Sequence, residues 1–545
     1  MPTISFMFED FKRLLGKKIT VSEFEDLLVL YAKAEVESYD KRSDEMAVKL
    51  DDTNLPYQWC PEGLARFFKG ILGMQKGTPK IKVNNGNYKV IAEDSVKNVR
   101  PYITAFVAKG KKIDDYMLKQ LVQAQEKFCE SYGRRRQKVS IGLYAYKKIS
   151  FPVHYKAVPP ASVKFIPLDF TRPMSLNEIL KQHPKGQQYS WILSGFANYP
   201  LLLDDKGEIL SFPPIINSSS TGKLEVGDNE LLFEATGTDE ESVNLAANIF
   251  AYNLFERGFE IFSADVKYKN KSTTIPALKT ERIKITAEQV QQITGLKVTT
   301  ASLVTLLQKA GYNMDGSYAI IPPYRADIMH AVDVAEDAAI AYGFNEIEDE
   351  PLASYTLGAK DGSVHAINSI RKAAIGMGFQ EVFSHILTDK KTLIPATNSK
   401  IVEVENFMSE TYSAVRNSAL PQLLDVLARN KHADYPQKIF EEGIIASIAG
   451  KKVAETHSIA LISSHSTANF TEMKQYISAV LAPLGASFTI TPADHPTFLK
   501  GRVGSVIINN KAVGIIGEIS PAVLSKLGIE MPATAAELDL AFLMP

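Results

Sequence analysis

The chain has 545 residues, 45% of them hydrophobic and 23% charged, with 61 Lys and Arg against 62 Asp and Glu. That length exceeds what one hydrophobic core serves, so about three or four domains are expected; a net charge of −1 excludes a global field that draws in nucleic acid, leaving any RNA contact to local basic patches. Cys60 and Cys129 alone cannot supply a disulfide framework or a Cys-ligated zinc site, and no run approaches the ~18 apolar residues of a spanning helix.

The N-terminus, MPTISFMFEDFKRLLGKK, interrupts its apolar residues with Glu9, Asp10 and Lys12. It does not read as a signal peptide, so a cytoplasmic location is the default expectation. Residues 1–92 alternate helical and strand patterns and form a first α/β domain. Ser22 and Glu25 have the spacing of a capping box ahead of Leu27-Leu28-Val29-Leu30, and IKVNNGNYKVI (81–91) alternates around Asn85-Gly86, a hairpin signal. Residues 93–269 are rich in strands, with helices expected at 112–131 and about 239–257. The second helix opens on Thr238-Asp-Glu-Glu241, a capping box, and turns Val243, Ala247, Phe250 and Leu254 inward. YKNKSTTIPALKTER (268–282) is polar and reads as a boundary. In 270–350, a small helix-rich domain, Thr286 caps a helix ending at Gly295 and a second helix runs from about Ala301 to Ala310. Their outline is that of a helix-turn-helix. Residues 286–311 hold only Lys297 and Lys309 against Glu288, too little charge to neutralise phosphates, so packing is expected and no DNA partner. After the linker PLASYTLGAKDGS (351–363), the domain 351–545 mixes helices and strands and ends in a hairpin, VGSVIINNKAVGIIGEI (503–519). The fold class is α+β, multidomain.

Three segments could carry chemistry. In PPYRADIMHAVDVAEDAAIAYGF (322–344), Asp327 sits where an N-cap belongs and Gly343 where a C′ glycine belongs. Asp333, Glu336 and Asp337 share one helix face, and no Lys or Arg lies between 326 and 345. Two readings are open, a solvated acidic face or a site for a hard cation such as Mg²⁺. GRRRQK (133–138) is a compact cation cluster that is either a solvated turn or a polyanion contact. LSFPPIIN (210–217) and LLFEATGT (231–238) place Ser211, Asn217 and Thr236 around Glu234, a carboxylate in an apolar strand. Either Glu234 faces water from an edge strand, or it is buried and needs partners. Phosphate-loop, nucleophile-elbow and His-Glu-x-x-His signatures are absent, and His432, His457, His465 and His495 lack metal-ligand spacing.

The acidic segment resembles the signature of the β subunit of phenylalanyl-tRNA synthetase in its archaeal and eukaryotic-cytosolic form. CPEGLARFFKGILG (60–73), the stretches at 132–170, 210–224 and 231–261, and those at 404–430 and 495–529 resemble that family in the same order along the chain. DDTNLPYQW (51–59) departs from the family's Asn-Arg-Pro-Asp pattern.

The resemblance implies an editing domain at 93–269, a small helical, winged-type domain and a class II synthetase catalytic-like domain at 351–545. It implies a subunit that pairs with α, two of each, in an enzyme that joins L-phenylalanine to its tRNA with ATP, while α performs activation. Ser211, Asn217, Glu234 and Thr236 would form a pocket that hydrolyses mischarged tyrosyl-tRNA, and Asp327, Asp333, Glu336 and Asp337 would bind Mg²⁺. The family usually has Asp where Glu234 stands, so the carboxylate here carries an extra methylene. Arg416, in AVRNSALPQLLDVL, resembles the remnant of an ATP-positioning helix; no residue is assigned to activation. The family's longer bacterial members carry further RNA-binding domains for which this sequence has no room, so anticodon contacts are expected from α. The rival readings are a scaffold that kept the fold and lost hydrolysis, and a free-standing editing hydrolase, for which 364–545 would be superfluous.

Overall fold

The alternation of LLFEATG makes one face of strand Glu230–Gly237 apolar and the other polar, and that strand organises the larger part of the chain. In the computed structural model, which describes residues 2–352, 354–393 and 401–543, the chain divides into two units, Met1–Pro351 and Leu352–Pro545.

In the first unit, Thr3–Met7, Glu45–Leu50 and Ala34–Asp40 form a small sheet over Phe6, Phe8, Phe11, Phe24 and Phe68, which cluster with the helix Pro61–Ile71. The Ser22–Glu25 box is displaced, because Thr20 and Glu23 cap the helix Val21–Leu27 instead. The main sheet has ten strands and mixed pairing. Glu230–Gly237 lies between Tyr102–Lys109 and Val139–Ala145, antiparallel to both. Its apolar face, with Phe233, packs on Phe250 of the helix Glu240–Glu256, whose Val243, Ala247 and Leu254 are buried as expected. That helix is capped by Asp239, which accepts from Ser242 N at 3.0 Å, one residue beyond the Thr238 of the expected box. The other expected helix spans Asp115–Glu130.

Asn85-Gly86 is not a hairpin turn. Val83–Ala92 is one strand, parallel to Glu260–Lys267, and its register slips between Asn84 and Tyr88. A Cβ on Gly86 would stand 2.3 Å from the Ser263 carbonyl oxygen, so the glycine serves a bulge with close backbone approach. The polar stretch after 268 is also part of this sheet up to Ile275, through Ser272–Ile275.

Residues 282–344 pair a three-stranded sheet with helices Ala287–Thr294, Thr300–Lys309 and Ala331–Tyr342. Thr286 and Gly295 cap the first of these helices as expected, the glycine in the left-handed region.

The second unit is built on a seven-stranded sheet among the described residues. Ile459 and Leu461 face the helices Gly362–Gly376 and Phe470–Leu481, while Ala460 and Ile462 face Leu420–Arg429 and Pro521–Leu527. The expected hairpin is Phe498–Ile508 with Lys511–Ile519, turning through Asn509 and Asn510, both at positive φ. It is not terminal, because Ala533–Asp539 returns to the middle of the sheet. Among the described residues no helix is long and apolar enough to cross a membrane.

Candidate functional site

The main sheet curls until its ends meet, Val139–Ala145 at one end and Ile209–Phe212 with Ile216–Asn217 at the other. The polar face of Glu230–Gly237 looks into that junction. Thr236 pairs across with Ser140 and Glu234 with Gly142, while Tyr144 stands diagonally from Glu234. Glu234 is 3% exposed and therefore does not face water. The hydroxyl of Tyr144 lies 2.8 Å from Glu234 Oε2 and 2.9 Å from Ser211 Oγ, joining the two ends of the sheet.

Thr236 belongs to a second polar group. Arg100, fully buried, donates through Nε to Thr236 Oγ1 at 3.1 Å and through Nη2 to the Thr236 carbonyl at 2.6 Å. Ser140 Oγ is 3.0 Å from Thr236 Oγ1. Asn217 pairs with Ser211 in the strand ladder, and its amide donates to the Gly222 carbonyl at 3.1 Å, bracing the loop rather than touching Glu234. Burial pushes the Glu234 carboxyl up to about 7, against the pull of the Tyr144 hydrogen bond and the Arg100 charge.

The arginine cluster reaches the turn that follows Ser211, through Arg136. Arg134, Arg135 and Arg136 all have positive φ, at 49°, 53° and 67°. Arg136 donates to the carbonyls of Pro214 and Ile215 at 3.2 and 3.0 Å and lies 4.4 Å from the Tyr189 ring centre. Lys138 pairs with Asp239 at 3.3 Å. Arg134 and Arg135 are left exposed, Arg135 lying 6.0 Å from the Trp191 ring centre.

The acidic segment is arranged differently from its spacing. The helix begins at Ala331 with His330 as its cap, so Asp327 is not the N-cap, although Gly343 does end it. Arg325, one position before the stretch free of cations, is 5% exposed and pairs with both Asp327 and Asp337. Tyr312 donates its hydroxyl to Asp337 as well. Asp333 Oδ2 turns back to accept from the backbone of Met329 and His330, both at 2.7 Å, and Glu336 reaches outward to Lys33 at 3.1 Å. The carboxylates therefore diverge, and among the described residues no three His, Cys, Asp or Glu side chains are grouped to hold a metal ion. Asp337 and Asp327 are neutralised by Arg325 and Glu336 is paired with Lys33, so among the described residues Asp333 is the one carboxylate of the four held by backbone N–H groups rather than by a cation.

In the second unit Arg416 precedes the helix Leu420–Arg429 rather than lying in it. It is 1% exposed, donating through Nε to the Ile444 carbonyl at 2.9 Å and through Nη1 to Ser384 Oγ at 3.0 Å and Glu441 at 2.5 Å.

Tyr144, Gly142, Arg100, Arg325 and Lys33 were not singled out from the sequence. The first two had a signal, since VSIGLYA alternates and puts Ser140, Gly142 and Tyr144 on one face. Lys33 lies some three hundred residues from its partner Glu336 and had none.

Residues 283–344 match the profile of the tRNA synthetase B5 domain, and residues 348–540 that of the phenylalanyl tRNA synthetase beta chain CLM domain. The phenylalanine–tRNA ligase beta subunit of Thermococcus sibiricus is 38% identical over 553 residues, covering 99% of this chain and 98% of the relative. That of Pyrococcus abyssi is 37% identical over 552 residues, with 99% of each covered. The crystal structure of an N-terminal fragment of the Pyrococcus horikoshii phenylalanyl-tRNA synthetase beta subunit matches with a TM-score of 0.60 at 36% identity, covering 63% of this chain and 99% of the fragment. Agreement over nearly the full length of these relatives means that the chain belongs to the phenylalanine–tRNA ligase beta-subunit family.

Proposed function

We propose that this chain is the editing, non-activating subunit of a cytoplasmic phenylalanine–tRNA ligase, assembled as two α and two β chains. The complex takes ATP, L-phenylalanine and tRNA(Phe), and this subunit hydrolyses tyrosyl-tRNA(Phe) in the pocket of Glu234, Ser211, Asn217 and Thr236. One observation carries the reading: Glu234 is a buried carboxylate whose Oε1 has no hydrogen-bond partner among the described residues. Such a group costs stability and persists where a ligand completes it. The chemistry supplies the need, because an apolar phenylalanine pocket rejects an analogue that adds a hydroxyl by only about a hundredfold. A second pocket that hydrogen-bonds the hydroxyl selects in the opposite sense. The exposed Arg134 and Arg135, adjoining Arg136, suit the phosphates of the incoming tRNA end.

The domain 351–545 has a class II catalytic-like role without activation. Its buried Arg416 is held by Glu441, Ser384 and a carbonyl, so it offers no guanidinium to a nucleotide. Purified alone, this chain is expected to show no ATP–pyrophosphate exchange, and to support charging only once α is added. Exchange by the isolated chain at rates near those of the complex would refute the division of labour.

Mg²⁺ at the acidic helix would rest on Asp333 and on Glu336 released from Lys33, with waters and oxygens of α completing its shell. When bound, it supplies positive charge at the α–β boundary. Asp333→Asn with Glu336→Gln is expected to weaken assembly about tenfold at micromolar Mg²⁺, or about 1.4 kcal/mol, and less at millimolar Mg²⁺. Sedimentation of the complex across a Mg²⁺ series measures this, and identical assembly at every concentration counts against the site.

A further inference from the structure

Tyr144 has no assigned part in the pocket, yet its hydroxyl makes the closest polar contact of the Glu234 carboxylate, to Oε2 at 2.8 Å, with Thr236 and the Arg100 charge also favouring the ionised form. Its side chain is fully buried, and its hydroxyl bridges Glu234 Oε2 at 2.8 Å and Ser211 Oγ at 2.9 Å. Register explains how it gets there. Glu234 faces Gly142 directly across the ladder and Leu232 faces Tyr144, so the ring leans over the glycine from the diagonal position. A Cβ on Gly142 would stand 2.3 Å from the Tyr144 hydroxyl and 2.7 Å from Glu234 Oε2. The glycine is what admits the phenol. On the same face Thr236 is committed to Arg100 and Ser140. One carboxylate oxygen is thus occupied, and the other, Oε1, is buried with no partner among the described residues.

We propose that Tyr144 is the positioning residue of the pocket: by holding Oε2 of Glu234 it presents Oε1 as the open acceptor for the phenol of a tyrosyl ester. The proposal rests on reading the pocket as a tyrosyl-editing site. Tyr144 is itself a phenol on that carboxylate, so the contact expected of the substrate has an internal counterpart of the same chemistry. A phenylalanyl ring in the same place leaves Oε1 unpaired, and the buried acceptor penalises it. Tyr144 also acts on charge. Its donated hydrogen bond favours the ionised carboxylate, against the burial that raises it.

Tyr144→Phe keeps the ring and removes only the hydroxyl. In the α–β complex, the preference for hydrolysing tyrosyl- over phenylalanyl-tRNA is expected to fall about tenfold. The low-pH limb of tyrosyl hydrolysis should move to higher pH, because the carboxylate loses the donor that favours its ionised form. In a Glu234→Ala background Tyr144→Phe should cost nothing further, since the two act as one unit. Unchanged preference and pH limb, or additive losses, would overturn the proposal. So would faster hydrolysis, which would make Tyr144 a plug rather than a support. If Glu234→Ala alone leaves tyrosyl hydrolysis intact, the editing reading has failed instead. A crystal structure of the Tyr144→Phe complex then still decides the positioning: the Glu234 carboxylate should rotate, and one unmoved refutes the proposal. Phenylalanine charging reports that the variant folds and assembles. Should it not fold, Ser211→Ala, which frees the other side of the Tyr144 hydroxyl, should produce the same shifts in smaller measure, and no shift would count against the proposal.

Discussion

Glu234→Ala in the assembled enzyme is expected to slow hydrolysis of tyrosyl-tRNA(Phe) by about ten- to a hundredfold, the worth of one hydrogen bond to a charged group, about 1.5–3 kcal/mol. Charging with phenylalanine should stay near the parent rate, because no activation chemistry is assigned to this chain. A deacylation time course on misacylated tRNA gives both numbers, and hydrolysis at the parent rate would leave Glu234 without a role in reading the hydroxyl. The pH dependence follows from burial. With the carboxyl pushed up to about 7, the ionised form is only partly populated at neutral pH, so hydrolysis should rise with pH through that value. Stability runs the other way. A carboxyl whose folded pKa lies above its unfolded value stabilises the fold least where it is ionised, so its cost grows as pH rises from the ordinary carboxylate range through about 7. Glu234→Gln should therefore raise the melting temperature at pH 8, with a gain on the order of 1–3 kcal/mol, and much less at pH 5. A residue that gains stability and loses selectivity when replaced is held for function. Glu234→Asp separates reach from charge: retained editing would mean the strand tolerates the shorter carboxylate, and lost editing would mean that the extra methylene matches the Tyr144 contact.

What could be read in the chain beforehand was local. The apolar run LLFEATGT was legible as a strand, Thr286 and Gly295 placed the helix Ala287–Thr294, and the stretch 503–519 was legible as a hairpin. Whether Glu234 met water depended on having strands on both sides, a fact about residues 102–109 and 139–145 that no window around 234 contains. Asn85-Gly86 misled for the same reason. The glycine answers to the Ser263 carbonyl, far away in sequence, rather than to a turn. In the acidic segment, helical spacing correctly put Asp333, Glu336 and Asp337 on neighbouring turns. It could not foresee that Lys33, Arg325 and a retracting helix start would draw each carboxylate a different way.

Arg325→Met should be the most damaging single change in the small domain. It removes the one guanidinium that faces both Asp327 and Asp337, side chains that are 6% and 15% exposed, and leaves two carboxylates buried at close quarters. Breaking a buried ion pair from one side costs about 3–5 kcal/mol. In a unit the size of Met1–Pro351 that is a fall of roughly 5 °C in melting temperature. Arg325→Lys should lose less but still lose, because one ammonium cannot reproduce the fork that reaches two acids. The pH dependence has a definite sign. Burial already raises Asp337 against the pull of Arg325, and without the guanidinium it rises further, so its proton is taken up on folding. The variant should recover part of its deficit as pH falls from 7.5 toward 5, the parent changing less over that range. The same measurement separates Arg325 from a metal as the neutralising charge. If Mg²⁺ were what balanced Asp327 and Asp337, a chelator would lower the melting temperature of the parent as far as Arg325→Met does. With Arg325 in that role the chelator is expected to leave the parent's melting temperature unchanged.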